Sequence, residues 1–489
     1  MEVVILSDVY TEGWIRGAGA YRLATELRRQ GYTTQVIDFC SRLSESEARK
    51  VFDKFLTSET NFVGVSNTFM FNQGHKIFAQ DWMLDLLQEY KDKFNLTFVI
   101  GGNRGGLGHY DKAAKKLFDI LVTGFADSAI INIADACRKK DLTLLKATKF
   151  NEKQLLVDCK TEYVYEDFQQ SQIIWEKQDC IFPGEALPIE TARGCIFRCS
   201  FCFFPGNGKA GTYDYMKHKE VLTEELLRNY ELYGTTVYDI MDDLLNDSPE
   251  KCQFIYDVFS NLPFKVKFGS YARADLLISQ KQTLPLLEES GCIGMQFGIE
   301  TLNKKAGSAI GKGMGREKTI EGLNWVKQNS DISLGSGFIM GLPFESIESM
   351  RQTIEWLDSK DCPLDNKEVY ALSIPSLKSH FDHSKLMVDP YKYGYKDLEP
   401  NNESKMIWDN GYLNYYQAEE LKKECLERFR PHNHFNAHQL ARVYNTGADI
   451  DYVMQTPASI FRKTNASIKP DSDKIASIKQ KYLELLYDL

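Results

Sequence analysis

Apolar runs of strand length alternate with longer stretches of helical spacing along most of the chain. Val3–Ser7 precedes a helical pattern over Gly19–Gln30, and Thr34–Phe39 precedes another over Ser44–Leu56. Phe62–Ser66 and Phe98–Gly101 follow, with a helix near Lys76–Lys93 between them, and Ile120–Thr123 leads into a helix near Ser128–Arg138. Strands alternating with helices at this spacing predict an α/β, Rossmann-like parallel sheet over residues 1–144. Residues 145–186 show little periodicity and read as a linker. The alternation resumes over 187–375, with strands at Leu187–Thr191, Val237–Met241, Val266–Tyr271, Gly294–Ile299, Ser333–Met340 and Val369–Ser373. Six β/α units without a seventh and eighth predict an open, partial (β/α)6 barrel whose chemistry gathers at the carboxyl ends of its strands. Beyond 376 the pattern loosens into a mainly helical C-terminal region with helices near Gln417–Phe429 and Ile475–Leu486. The last helix carries Ile478, Tyr482, Leu485 and Leu486 at helical spacing, and is expected to pack on the core or close one side of the active site.

Composition changes this picture in two respects. The net charge of −9 argues against a broad phosphate-binding surface, while leaving a local basic groove for nucleic acid open. Eleven cysteines, an N-terminus without a signal-peptide pattern and no apolar run long enough to span a bilayer predict reduced thiols and a cytoplasmic protein that does not enter a membrane.

Three of those cysteines carry the chemistry. Cys195, Cys199 and Cys202 are spaced CxxxCxxC directly after the first barrel strand, with Phe201 just before the last of them. No fourth thiol lies nearby, and the next histidine is His218. Structural zinc wants four closed ligands, whereas an iron–sulfur cluster can leave one iron open. The loop and the barrel that follows resemble the radical S-adenosylmethionine (SAM) enzymes. That resemblance implies a 4Fe-4S cluster on the three cysteines, with SAM chelating the fourth iron. It also implies an electron donor of the reductase or flavodoxin/ferredoxin type. Asp242 and Asp243 after the second strand, Arg273 after the third, Glu300 at the end of the fourth, and Gly337 and Gly341 on the fifth are chemically suited to SAM. For each acid, capping a helix or pairing with a cation is the alternative. Gly311-Lys-Gly-Met-Gly315 lacks the spacing of a phosphate loop and reads as a flexible turn. His432, His434 and His438 read as a polar loop.

The N-terminal sheet has informative loops at its strand ends: Asp8, Tyr10 and Gly13 after the first strand, Ser66 after the third, Gly101 and Gly102 after the fourth, and Gly124 after the fifth. Glycines there let the backbone approach a ligand. The set resembles the cobalamin-binding domain that precedes many radical SAM cores, but the loop reads DxYxxG where cobalt-ligating members have DxHxxG. Bound cobalamin would then have no imidazole beneath it, and a purely architectural domain is the alternative. Together these resemblances imply reductive SAM cleavage, functionalisation of an unactivated carbon of an unknown substrate and, with cobalamin, methyl transfer. A cobalamin-independent enzyme that modifies RNA or peptide, and a non-enzymatic metal-binding protein, are the other readings.

Overall fold

The computed structural model describes residues 1–9, 13–66, 77–102, 116–159, 168–202, 215–375, 384–401, 405–434, 436, 441, 443–450 and 472–489. Two parallel sheets organise these residues. The first has the strand order β2-β1-β3-β4-β5-β7-β6, with β1 Val3–Leu6, β2 Thr34–Ile37, β3 Phe62–Ser66, β4 Thr97–Gly101, β5 Ile120–Thr123, β6 Thr148–Lys149 and β7 Leu155–Asp158. β1 and β2 are buried throughout because helices cover both faces; β1 is an unbroken apolar run, while β2 buries Thr34 and Gln35 beside Val36 and Ile37. Sequence order reverses at β1, which pairs in parallel with both β2 and β3. That switch point is where such sheets hold ligands.

Two strands fall within the segment that shows little periodicity. β7 pairs in parallel with β5, and β6 turns back antiparallel on β7. Leu155, Leu156 and Val157 form an apolar run too short to announce a strand; pairing with an existing edge supplies the rest.

The second sheet is open, six-stranded and entirely parallel: β8 Leu187–Ile189, β9 Val237–Ile240, β10 Lys267–Ala272, β11 Cys292–Glu300, β12 Ser333–Met340 and β13 Asn366–Ala371, in that spatial order. Helices Lys219–Tyr233, Pro249–Phe259, Thr283–Glu289, Arg316–Asn329 and Ile347–Asp358 connect the strands on the outside, joined by the shorter Ala274–Ser279 and Lys304–Ile310. The C-terminal region is less purely helical than its sequence pattern suggests. It adds a small antiparallel sheet of β14 Ile374–Pro375, β15 Lys396–Asn401 and β16 Lys405–Asp409 before the helix Tyr415–Phe429.

The last helix, Ser472–Asp488, settles on neither the barrel nor its mouth. Tyr482, Leu483 and Leu486 are buried in the apolar layer of the N-terminal domain, where the Tyr482 ring stands edge-on to Phe39 and Trp14. Lys479 pairs with Glu47 at 2.9 Å, and the Asp38 amide donates to the Tyr482 hydroxyl at 2.9 Å. Of the predicted stripe Ile478, Tyr482 and Leu486 pack inward, but Leu485 is exposed and Leu483 is buried instead, and a stripe carries no address. Among the described residues no helix is long and apolar enough to cross a membrane.

Candidate active site

The cysteine loop is fixed at its root by a buried carboxylate. Asp242, just beyond β9, accepts from the Thr191 and Ala192 amides at 2.7 and 3.0 Å and pairs with Lys251 at 2.9 Å. Lys251 and Asp242 are both almost fully buried, so each neutralises a charge that would be costly alone. Further along, the Ser200 amide donates to the Ile310 carbonyl at 3.1 Å, and the Ser200 carbonyl accepts from the Leu386 amide at 2.8 Å. The Cys202 amide folds back to the Cys199 carbonyl at 3.1 Å, bending the loop between two of its thiols.

Cys195, Cys199 and Cys202 form no disulfide and are half-buried, whereas Cys40, Cys137, Cys159, Cys180, Cys252, Cys292 and Cys425 are buried in the packed interior. Arg273, the residue after β10, donates to Cys199 Sγ at 3.6 Å and lies over the Phe197 ring at 4.1 Å. Asp275 holds that guanidinium from the other side at 2.6 Å. Asp243 is half-buried beside the same loop; burial, and then the neighbouring Asp242 charge, push its carboxyl up to about 6. Phe201 packs against the main core, with the Lys312 ammonium 5.5 Å from its ring centre.

Glu300 ends β11 at a break in register with β12, and its backbone is left-handed at φ +67. A non-glycine residue there is strained, and such strain collects at functional sites. Its carboxylate meets Lys312 at 3.0 Å, and Lys312 also donates to the Gly298 carbonyl at 2.6 Å. Gly337 lies beneath this pair, since a Cβ there would stand 4.0 Å from Glu300 Oε2. Gly341 is placed differently: Trp408 covers it so closely that a Cβ would meet the indole at 2.1 Å, and its carbonyl accepts from Tyr395 at 2.8 Å.

Cys199, Arg273, Asp243, Glu300 and Gly337 thus gather around the carboxyl end of the barrel, while Asp242 and Gly341 are built into its framework. The glycine-rich segment 311–315 is a turn leading into the helix Arg316–Asn329, as its sequence suggests; it also closes the helix Lys304–Ile310 and brings Lys312 to Glu300, a role its sequence does not announce. A lysine among glycines gives no hint of that partner.

On the N-terminal sheet, Asp8, Ser66, Gly101, Gly102 and Gly124 lie at the carboxyl ends of β1, β3, β4 and β5, with Gly13 further along the first loop; Tyr10 lies outside the described residues. Gly102 and Gly124 have φ values of +135 and +79, which only glycine adopts without strain. Asp8 accepts from the Ser41 amide, but among the described residues its other oxygen and the Ser7 hydroxyl are buried without a partner.

The two rims are joined at Arg193, two residues before Cys195. Arg193 pairs with Glu190 at 2.6 Å and with Asp127 of the N-terminal domain at 2.8 Å, and stacks on Phe125 and Phe168. Asp127 follows Gly124 by three residues and also takes Arg22 at 3.1 Å. Asn445 ties the domains a second time, donating to the Trp14 and Ala186 carbonyls at 2.8 and 3.0 Å.

The second sheet is an open six-stranded parallel barrel with three cysteines on one loop at its mouth, and residues 189–357 match the model of the radical SAM superfamily. Those residues form a radical SAM domain. The chain's fold is shared over nearly its whole length with the radical SAM methyltransferase TsrM of Kitasatospora setae, solved with tryptophan and a SAM analogue: 15% identity, 94% of this chain, 90% of that one, TM-score 0.61. The cobalamin-dependent radical SAM enzyme OxsB, solved with aqua-cobalamin and SAM, matches all of this chain and 72% of its own at 14% identity and a TM-score of 0.57. Among curated relatives, an uncharacterized methyltransferase of Pyrococcus horikoshii is 25% identical over 179 residues, 35% of this chain. This chain spans only 37% of that relative's length.

Proposed function

We propose that Cys195, Cys199 and Cys202 hold a 4Fe-4S cluster at which SAM is cleaved reductively, and that the enzyme transfers a methyl group to an unactivated carbon with cobalamin bound on the N-terminal rim. The observation that carries this reading is the isolation of the triad. Three half-buried thiols stand on one braced loop, whereas seven other cysteines are buried and Cys362, half-buried too, stands alone elsewhere in the sequence. Three ligands suit a cluster with one open iron and not a closed zinc site.

The residues present fit these groups. Arg273 supplies positive charge beside a sulfur that must carry negative charge as a ligand. Glu300 and Asp243 offer carboxylates at the mouth for the SAM ammonium; Gly298 makes room for the Glu300–Lys312 pair, and Gly337 leaves open floor beside it. The partnerless Asp8 oxygen and Ser7 hydroxyl, with the glycine turns at 102 and 124, suit a polar ligand lying close to the backbone. When bound, the cluster supplies the electron that breaks the sulfur–5′-carbon bond of SAM, and cobalamin supplies the methyl carrier. The chain's own work is to bind, orient and exclude water. Asp242 and Lys251 set the loop's position, Arg273 anchors one thiolate, and Arg193 holds the two rims in one register. A substrate and an external one-electron donor complete the system, and the location is cytoplasmic, where such a cluster survives.

Anaerobic reconstitution with iron, sulfide and hydroxocobalamin tests this. Gel-filtered protein should retain about four irons, as one 4Fe-4S cluster contains, together with one corrinoid per chain. Retained iron without corrinoid would leave a radical SAM enzyme with an architectural first domain.

A further inference from the structure

Strand register sorts the barrel residues onto two faces. Met295, Phe297, Leu334 and Phe338 point outward into the apolar layer beneath the helices and are nearly fully buried. The alternate residues face the open interior. Tyr271 pairs with Gln296 and Gln296 with Gly335; one step higher Gly337 pairs with Glu368, and then Ile339 with Tyr370. Arg273, which reaches Cys199, is the next interior position after Tyr271 on its strand.

This interior holds an unusual pair. Tyr271 and Tyr370 are 49% and 50% exposed although both lie within barrel strands, so their surfaces open into the barrel. A Cβ on Gly337 would stand 3.7 Å from the Tyr370 ring and 4.0 Å from Glu300, so both side chains overhang one glycine floor. Glu368 accepts from the Tyr370 hydroxyl and from Asn436 Nδ2 at 2.6 Å, and among the described residues it has no cationic partner. Glu300, by contrast, is neutralised by Lys312 at 3.0 Å.

We propose that Tyr271, Tyr370 and Glu368 are the substrate-recognition wall of this barrel, and that it takes a planar aromatic molecule bearing an ammonium group. The proposal rests on the radical SAM reading, which makes the barrel interior the place where substrate meets SAM. Tyrosine rings offer flat apolar surface and attract cations over their faces, while an uncompensated carboxylate favours an ammonium and repels an anion. The wall lies on the same face as Arg273 and Glu300, which places a substrate there within reach of the cysteine loop.

The test uses the full-length, cluster-loaded protein and three probes: phenethylamine, 3-phenylpropionate and n-hexylamine, with affinities from anaerobic calorimetry. Phenethylamine should bind at least about tenfold more tightly than the other two, the scale of one charge-assisted contact. Glu368→Gln should erase its advantage over 3-phenylpropionate. Tyr370→Leu should erase its advantage over n-hexylamine. Equal affinities for amine and carboxylate, no binding of any probe, or unchanged selectivity in Glu368→Gln would overturn the proposal. Iron content and the response of the cluster's paramagnetic resonance to SAM, recorded on the same samples, report separately on the radical SAM reading.

Discussion

At the scale of single residues, position decides which of several chemically identical groups is functional. Cys195→Ala, Cys199→Ala and Cys202→Ala should each abolish the cluster absorbance and SAM cleavage, because each thiolate holds an iron. Cys252→Ala, on the buried face of the helix Pro249–Phe259, should keep both and lose only about 1 kcal/mol of stability, as for a small buried truncation. Retention of full iron in any triad variant would contradict the assignment. Glu300→Gln should weaken SAM binding by about 10- to 150-fold, the range of a charge-assisted hydrogen bond, with iron content unchanged. The triad was legible in the sequence because its spacing is itself the chemistry. Lys312 and Arg193 were not, because the meaning of a lone cation lies in the partner that folding brings to it.

At the scale of elements, a strand was legible where burial on both faces makes an apolar run, as in Phe62–Ser66, and in the barrel where apolar residues recur along it, as in Ser333–Met340. Leu155–Asp158 was not, since its strand character comes from the edge it joins. The turn after β12 offers a sharper test. Glu345 is buried, accepts from Thr301 at 2.8 Å, and has one oxygen without a partner. Burial pushes its carboxyl up to about 7. A raised acid pKa means that the folded state binds the proton more tightly than the unfolded chain. The group therefore costs nothing below the unfolded value, and progressively destabilises the fold as pH rises through about 7. Glu345→Gln should remove that cost and raise stability at pH 8 by about 1–3 kcal/mol, with little gain at pH 4. Chemical denaturation at both pH values checks this, and an equal change at the two would refute the buried-acid account.

At the scale of the whole molecule, the two domains are held together by a few polar contacts, and a helix from the far end of the chain packs on the first of them. Asp127→Asn leaves Arg193 and Arg22 short of a buried counter-charge and should cost about 3 kcal/mol, read as a lowered denaturation midpoint. Tyr482→Phe leaves the buried Asp38 amide without its acceptor and should cost about 1–3 kcal/mol, although residue 482 is remote in sequence. This architecture was legible in outline, as two α/β units and a helical tail. The destination of the last helix was not, because its apolar stripe would suit any apolar surface. What unites the scales is the claim that the cysteine loop holds one cluster that meets SAM. Electron paramagnetic resonance of the anaerobically reconstituted and reduced protein, titrated with SAM, tests that claim most directly. The account predicts a reduced-cluster signal whose shape changes as SAM binds and which is missing from Cys199→Ala. A signal indifferent to SAM, or one that persists in Cys199→Ala, would contradict it.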